Sequence, residues 1–259
     1  MSRNRWFILA LCALPILAGC GGGAKEETAS SEGPAEGAST APAAAADAGG
    51  VNGTVTFAGQ DTDTPIAMDA DPVCAGLHTT PVDTNEIAAK DGKLGNVFVY
   101  VKSGLTGTYP APAEKKELDQ VGCMYTPRVQ GLQVGQSMII KNTDATLHNV
   151  HALPKINPGF NRPMPGSMKE SSAKFDKPEP MFNIKCDVHP WMSAWVGVFT
   201  HPFYSVTKTD GKFTLSGLDP GTYEITAWHE RLGAQTATVT VAAKEAKTQN
   251  FTFKAPAAK

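Results

Sequence analysis

From Val51 onward, the chain alternates short apolar runs with turns rich in glycine, proline and aspartate. Apolar and β-branched residues dominate the runs 54–57, 96–101, 138–141, 194–199, 213–215, 222–228, 237–241 and 250–253. Such runs between turn signals predict β-strands, and no stretch sustains a helical period. The apolar density of 96–101 further predicts burial on both faces. We therefore expect an all-β fold of packed sandwiches.

Two other regions depart from this pattern. Residues 154–180 hold six prolines and little periodicity, so we expect a long loop there. Residues 21–50 consist mainly of Gly, Ala, Ser, Glu, Pro and Thr, with almost nothing to bury, which predicts a disordered linker. Positive and negative charges are nearly balanced and no basic run occurs, so nothing indicates nucleic acid as a partner.

The first twenty residues are typical of an export signal. Arg3 and Arg5 precede an apolar stretch at 6–17, which is too short to span a bilayer. It ends in Leu-Ala-Gly-Cys, and this tetrapeptide, with Cys20 last, resembles a bacterial lipobox. The resemblance implies cleavage before Cys20, a lipid on that cysteine, and a folded part tethered to a membrane.

A glycine rather than an aspartate follows Cys20. In Gram-negative lipoproteins that usually means transfer to the outer membrane. We therefore expect a lipid-anchored protein of the bacterial cell envelope that faces the periplasm.

Four side chains form the clearest candidate site. His148 opens the run His-Asn-Val-His, and Cys186, His189 and Met192 are spaced as Cys-x-x-His-x-x-Met. One thiolate, two imidazoles and a weak axial thioether make the trigonal set that suits copper cycling between Cu(I) and Cu(II). A seven-residue loop can place three of these donors around one ion, and a neighbouring strand must then supply His148.

The residues leave alternatives open. Zinc is the main competing metal by ligand type, although structural zinc sites usually lack a thioether and often use paired cysteines. Met164, Met168 and Met181 are alternative thioethers to Met192.

Together these motifs, over roughly residues 117–200, resemble the cupredoxins, amicyanin most closely. The resemblance implies a Greek-key β-sandwich with one type 1 (blue) copper ion, and one-electron transfer with an unidentified redox protein rather than catalysis. It also implies that Asn142, six residues before His148, hydrogen-bonds across to the cysteine loop. His151 is expected near the ligands without being one.

Two other functions compete with an electron carrier. One is a binding or scaffold lipoprotein whose site is incidental or stores copper. The other is an enzyme such as a copper nitrite reductase, which needs a second copper site made of histidines alone; the six histidines show no such cluster in the sequence.

The remaining cysteines predict a disulfide. Cys12 leaves with the signal, Cys20 carries lipid and Cys186 is a ligand, so Cys74 and Cys123 are left over in an oxidising compartment. A bridge between them would stabilise the fold by about 4 kcal/mol in the chain-entropy model. A second metal site built on Cys74 and His78 is the alternative.

The C-terminal part has its own motif. Asp-Gly-Lys-Phe-Thr-Leu at 210–215 and Gly-Leu-Asp-Pro-Gly-Thr-Tyr at 217–223 resemble the carboxypeptidase regulatory-like domain, a prealbumin-like β-sandwich. The whole arrangement also resembles exported proteins labelled methylamine-utilisation-like. We therefore expect a cupredoxin-like domain at 51–202 and the C-terminal sandwich at 203–259. Because 53–59 looks like the opening strand of the C-terminal sandwich, the cupredoxin-like domain could instead be inserted in it.

Overall fold

A computed structural model of the chain describes residues 46–60 and 62–255. Within this range a single helix of five residues occurs, α1 Pro72–Gly76. The strands are β1 Gly49–Ala58, β2 Ala89–Lys90, β3 Lys93–Leu94, β4 Phe98–Ser103, β5 Lys116–Val121, β6 Met124–Thr126, β7 Val129–Gln133, β8 Met138–Asn142, β9 His148–Leu153, β10 Phe160–Met164, β11 Glu170–Ala173, β12 Glu179–Lys185, β13 Ser193–Phe199, β14 Tyr204–Val206, β15 Lys212–Leu218, β16 Gly221–His229, β17 Gly233–Val241, β18 Ala246–Thr248 and β19 Phe251–Lys254. The all-β prediction is confirmed. The predicted signal, Cys20 and most of the predicted linker lie outside the described residues.

The first sandwich is formed by two sheets. One has the order β15-β1-β3-β2, with β18 and β19 also pairing with β1, and the other has the order β14-β4-β16-β17. Alternate side chains from both sheets form one buried core, because successive residues of a strand point to opposite faces. This core includes Val55, Val99, Leu215, Ile225 and Phe253.

The second sandwich is formed by the sheets β10-β9-β12-β13-β7 and β11-β8-β5-β6. Its separate core contains Leu118, Ile140, Val150, Ile184 and Val196, all fully buried. In the five-stranded sheet, β12 lies between β9 and β13 and is antiparallel to both. The candidate site lies where β9 begins and β12 ends.

The predicted domain boundaries are corrected by the strand pairing. Most of β1 and all of β4 fall within 51–202, yet β1 pairs with β15, β18 and β19, and β4 pairs with β14 and β16. The second sandwich is thus inserted between β4 and β14 of the first, which is the arrangement that the sequence left open. At the point of insertion the N–H of Val101 donates to the carbonyl of Phe203 at 3.0 Å, so the inserted segment leaves and returns at one place. The predicted linker also ends early, because β1 begins at Gly49.

β4 is buried on both faces, as its sequence predicts. Val99 and Val101 point into the core of the first sandwich, whereas Phe98 points the other way. There it forms a junction cluster with Val129 of β7 and Phe199 of β13. The junction cluster joins the two sandwiches through aromatic stacking, with the rings of Phe98 and Phe199 5.3 Å apart.

The long loop predicted at 154–180 is wrong in part. β10 and β11 form there, and β12 begins at Glu179. β10 and β11 are both edge strands, where proline is tolerated because one side of the strand has no ladder partner. Pro163 accordingly lies within β10, opposite Asn149.

Candidate metal centre

Strand geometry brings the predicted ligands to one end of the second sandwich. His148 is the first residue of β9, and Cys186 follows the last residue of β12. Because these strands are antiparallel neighbours, the start of one meets the end of the other. The loop from Cys186 to Met192 then connects β12 to β13, and it is closed by the Cys186 N–H donating to the Met192 carbonyl at 3.1 Å.

Three of the four predicted ligands present donor atoms to one another. The Nδ1 atoms of His148 and His189 are 2.9 Å apart, and the Cys186 Sγ lies 3.9 Å from His189 Nδ1. Donor atoms of all three residues lie within 4.8 Å of one another. His148, Cys186 and His189 are at most 2% exposed, so bulk water is kept from the donors. Two imidazole nitrogens and one sulfur in this arrangement fit the equatorial set of a type 1 copper ion.

The methionine alternatives separate by position. Met192 is fully buried on the ligand loop itself. Met164 is also buried, but its sulfur accepts a hydrogen bond from the Gln120 amide at 3.2 Å. Met168 is exposed, and Met181 packs against the junction cluster. Met192, on the loop that carries Cys186 and His189, therefore remains the candidate thioether ligand.

The outer nitrogen of each histidine contacts a carboxylate. His148 Nε2 lies 2.9 Å from Asp144 Oδ2, and His189 Nε2 lies 3.0 Å from Asp71 Oδ2. Neither aspartate was found from the sequence. Asp144 carries a weak signal, since it precedes His148 by four residues, but Asp71 is 118 residues from His189 and carries none.

These contacts set the protonation of the site. Burial opposes the charged form of His148, but hydrogen bonds with Asp144 and Cys186 outweigh it and raise its pKa to about 9. Burial also opposes ionisation of Asp71, yet hydrogen bonds from His189 and Thr146 lower its pKa to about 2. The Cys186 thiol is likewise disfavoured as an anion by burial, but hydrogen bonds with His148 and backbone N–H groups lower its pKa. The site therefore favours a thiolate, the form of cysteine that binds metal.

The role expected of Asn142 belongs to another residue. The Asn142 amide donates to the carbonyls of Thr146 and Met164, and no bond to the cysteine loop is found. Asn149 contacts that loop instead: its Oδ1 accepts from the N–H of Asp187 at 2.7 Å and lies 3.4 Å from the Cys186 sulfur. The expectation failed because Asn142 ends β8, which lies in the other sheet from β9 and β12. Its amide is directed to Thr146 and Met164 instead.

His151 lies beside the ligand loop rather than beside a ligand. Its Nδ1 is 3.0 Å from a carboxylate oxygen of Asp187, the residue after Cys186. Hydrogen bonds from Lys185 and then His151 hold the pKa of Asp187 well below its usual range. His151 therefore helps to fix the loop from its exposed side.

The predicted disulfide is confirmed. Cys74 and Cys123 are joined by an S–S bond, which ties α1 to the β5–β6 turn. Since Cys74 is in this bond, the alternative metal site on Cys74 and His78 is not formed; His78 Nε2 instead lies 2.7 Å from the Gly122 carbonyl. The bridge also covers the site, with the Cys74 sulfur 3.5 Å from His189 Nε2.

Comparison with known proteins finds one family model and several similar solved structures. Residues 194–254 match the model of the carboxypeptidase regulatory-like domain, which confirms that family for the C-terminal part. No curated protein matches the chain.

Several of the similar solved structures are those of copper proteins. A mutant of amicyanin in its Cu(I) form is 19% identical, with 40% of this chain and 98% of that chain covered and a TM-score of 0.30. A purple cupredoxin from Nitrosopumilus maritimus is 19% identical, with 32% and 99% covered and a TM-score of 0.28. A copper-containing nitrite reductase from Thermus scotoductus is 18% identical, with 55% of this chain and 28% of that chain covered and a TM-score of 0.31. No functional conclusion rests on likenesses of this size.

Three clusters of His, Cys and acidic side chains occur among the described residues, and none consists of histidines alone. Two of them take their cysteine from the Cys74–Cys123 disulfide, so His148, Cys186 and His189 form the cluster with a free thiol. Within the same residues there is also no helix with the length and apolar character needed to cross a bilayer.

Proposed function

We propose that this chain is a type 1 copper protein that carries one electron at a time. The observation that supports this most is the convergence of two imidazole Nδ1 atoms and one cysteine sulfur at a single buried point. His148, Cys186 and His189 would hold the ion through two nitrogens and one sulfur, and Met192 would add a weak thioether ligand. A copper ion bound there would supply a one-electron couple between Cu(I) and Cu(II).

The protein's own part is to keep this donor set rigid and dry. His148 is fixed by its strand, and the other three ligands by a seven-residue loop closed by backbone hydrogen bonds. Such fixed donors limit rearrangement between the two oxidation states, which favours electron transfer. Within the described residues every cluster of potential donors includes His148 or His189, so all three mark one centre. The proposal is therefore a carrier serving a redox partner protein, rather than an enzyme with a second, histidine-only copper site.

The test is visible spectroscopy of the purified full chain loaded with Cu(II). A thiolate bound to Cu(II) gives an intense visible charge-transfer band, so the protein should be strongly coloured and should bleach on reduction. Cys186→Ala should abolish the colour, and His148→Ala and His189→Ala should each remove or strongly alter it. Met192→Leu should keep copper and colour while its reduction potential rises, because the axial bond is long and weak.

His78→Ala is the matched histidine control, because His78 contacts only a backbone carbonyl outside the donor set. It should leave the spectrum unchanged. A wild-type chain that binds one zinc ion tightly and forms no coloured Cu(II) species would overturn the proposal and favour the scaffold function.

The chain is further proposed to be anchored to the outer membrane, facing the periplasm, through a lipid on Cys20. The support is the lipobox-like sequence that ends at this residue. Cys20→Ser should release the protein into the soluble fraction, as judged by fractionation after a high-salt wash. A Cys20→Ser protein that stays with the membrane pellet would contradict the anchor.

A further inference from the structure

We infer that Asp71 and Asp144 are positioning residues of the proposed copper centre, each holding the ring of one ligand histidine and together lowering the reduction potential. This inference rests on the proposed function. It assigns a role to two residues that carry no ligand motif.

The two histidines are held in the same way. Each directs Nδ1 toward the other donors and places Nε2 within 3.0 Å of a carboxylate oxygen. An imidazole that binds a metal through Nδ1 keeps its proton on Nε2, and a carboxylate at that position accepts it. The carboxylate therefore fixes both the tautomer and the ring plane, and makes the imidazole a more basic ligand.

Both carboxylates are themselves fixed before any metal binds. Asp144 accepts from the backbone N–H groups of Gly122 and Cys123, each at 2.8 Å. Asp71 caps α1 by accepting from the N–H of Val73 at 2.8 Å, and its other oxygen accepts from the Thr146 hydroxyl at 3.0 Å. Groups held by several such bonds need little reorganisation when the metal changes its charge.

The two carboxylates belong to one connected unit. The Cys74–Cys123 disulfide ties the helix that Asp71 caps to the turn whose N–H groups bind Asp144. Thr146, two residues after Asp144, bonds directly to Asp71. The side chain of Asp144 is 3% exposed and that of Asp71 is 20% exposed, so water screens their charge only partly. Two negative charges beyond the imidazoles stabilise Cu(II) more than Cu(I), which lowers the potential.

The experiment measures the reduction potential of the copper-loaded full chain and of Asp71→Asn and Asp144→Asn. Each substitution keeps the shape and removes the charge. Each should raise the potential enough to shift the Cu(II)/Cu(I) equilibrium at least tenfold, or about 59 mV for one electron. Asp119→Asn is the matched control, because Asp119 accepts from the Thr143 hydroxyl and does not contact an imidazole. It should shift the equilibrium less than twofold.

A second readout reports on the rings directly. In the diamagnetic Cu(I) protein, NMR should show two Nε2–H protons protected from exchange, and Asp71→Asn should expose only that of His189. If Asp144→Asn fails to fold, because it also loses two backbone contacts, the Asp71 arm and Asp119→Asn still decide the matter.

The outcomes separate the two proposals. A wild-type protein without a coloured Cu(II) form overturns the proposed function. A coloured wild type whose Asp71→Asn potential matches that of Asp119→Asn, with both Nε2–H protons unchanged, leaves the copper site standing and overturns the inference.

Discussion

Asn149 connects the first ligand strand to the ligand loop through one amide. Its Oδ1 accepts from the N–H groups of Asp187 and Val188 at 2.7 and 3.3 Å, and its amide donates to Asn161 at 2.7 Å. The asparagine itself is 7% exposed, and these bonds are partly buried. The position of the Cys186 sulfur relative to His148 therefore depends on this side chain.

Replacing Asn149 with Ala should loosen the copper loop. Two partly buried N–H groups would lose their acceptor, which should lower the free energy of unfolding by about 2 kcal/mol. Loss of such a supporting contact typically costs about 10–100-fold in metal affinity. Chemical denaturation of the metal-free protein and competitive Cu(I) titration measure the two effects.

Asn142→Ala is the matched control for that experiment. It removes the same kind of side chain from β8, the preceding strand along the chain. The Asn142 amide donates to the carbonyls of Thr146 and Met164, which lie outside the loop. Its stability should fall while its copper affinity stays within about threefold of wild type, well below the loss expected at Asn149. Equal losses of copper affinity in the two variants would show that Asn149 has no special connection to the loop.

The sequence indicates the candidate ligands, but not the residues that support them. Cys186, His189 and Met192 lie within seven residues, so their spacing alone indicates one site. Asp71 reaches His189 only because the chain folds back over 118 residues. Local spacing carries no information about such a contact.

Among the strands, the same limit separates what each element is from what it pairs with. The apolar residues of β4 predict the strand and its two buried faces, because one face packs into the core of the first sandwich and the other into the junction cluster. It does not predict β10, because Pro163 and exposed polar residues hide an edge strand. It also leaves the partners of β1 open, because hydrogen bonds between strands far apart in the chain leave no local pattern.

β1 pairs with β15, β18 and β19, and so joins the N-terminal strand of the first sandwich to its C-terminal strands. Gly53 lies where one of these pairings changes. Here the strand changes partners from β18 to β19, and a Cβ on Gly53 would lie 1.7 Å from the backbone carbonyl oxygen of Gln249. The Asn52 carbonyl accepts from the Gln249 N–H at 2.9 Å, so this backbone is held in place.

Gly53→Ala should therefore destabilise the protein by about 3 kcal/mol through overpacking against fixed backbone. Thermal and chemical denaturation of the metal-free protein measure the change. Gly76→Ala is the matched control, since a Cβ there meets nothing within 4 Å. It should change the stability by less than about 1 kcal/mol. A Gly53→Ala protein as stable as Gly76→Ala would contradict the close approach of the two backbones.

The two sandwiches are interlocked rather than consecutive. The helix that covers His189 belongs to the segment between β1 and β2 of the first sandwich, whereas the ligands belong to the inserted second one. A buried ion pair reinforces the junction: Arg128 Nη2 donates to Glu230 at 3.0 Å, and the indole of Trp195 donates to the same carboxylate at 2.9 Å. The cluster of candidate ligands is thus completed by α1, which the predicted boundaries had placed in the same domain only because it is near in sequence.

This interlocking predicts that the chain cannot be cut at the boundary its sequence suggests. A truncated chain covering 46–202 would keep β1 and β4 but lose β14 to β19, which pair with them. Val51, Val55, Phe57, Val99 and Val101, now at most 5% exposed, would face water. At about 1.5–3 kcal/mol for each fully buried side chain, their exposure costs roughly 10 kcal/mol, as much as the whole net stability of a typical domain.

The 46–202 chain should aggregate or unfold without a cooperative transition, whereas 46–255 should unfold cooperatively and bind copper as the full chain does. Circular dichroism melts, size-exclusion chromatography and the visible spectrum measure this. A monomeric 46–202 chain with a sharp melt and the full chain's copper spectrum would show that the inserted sandwich folds independently of its host.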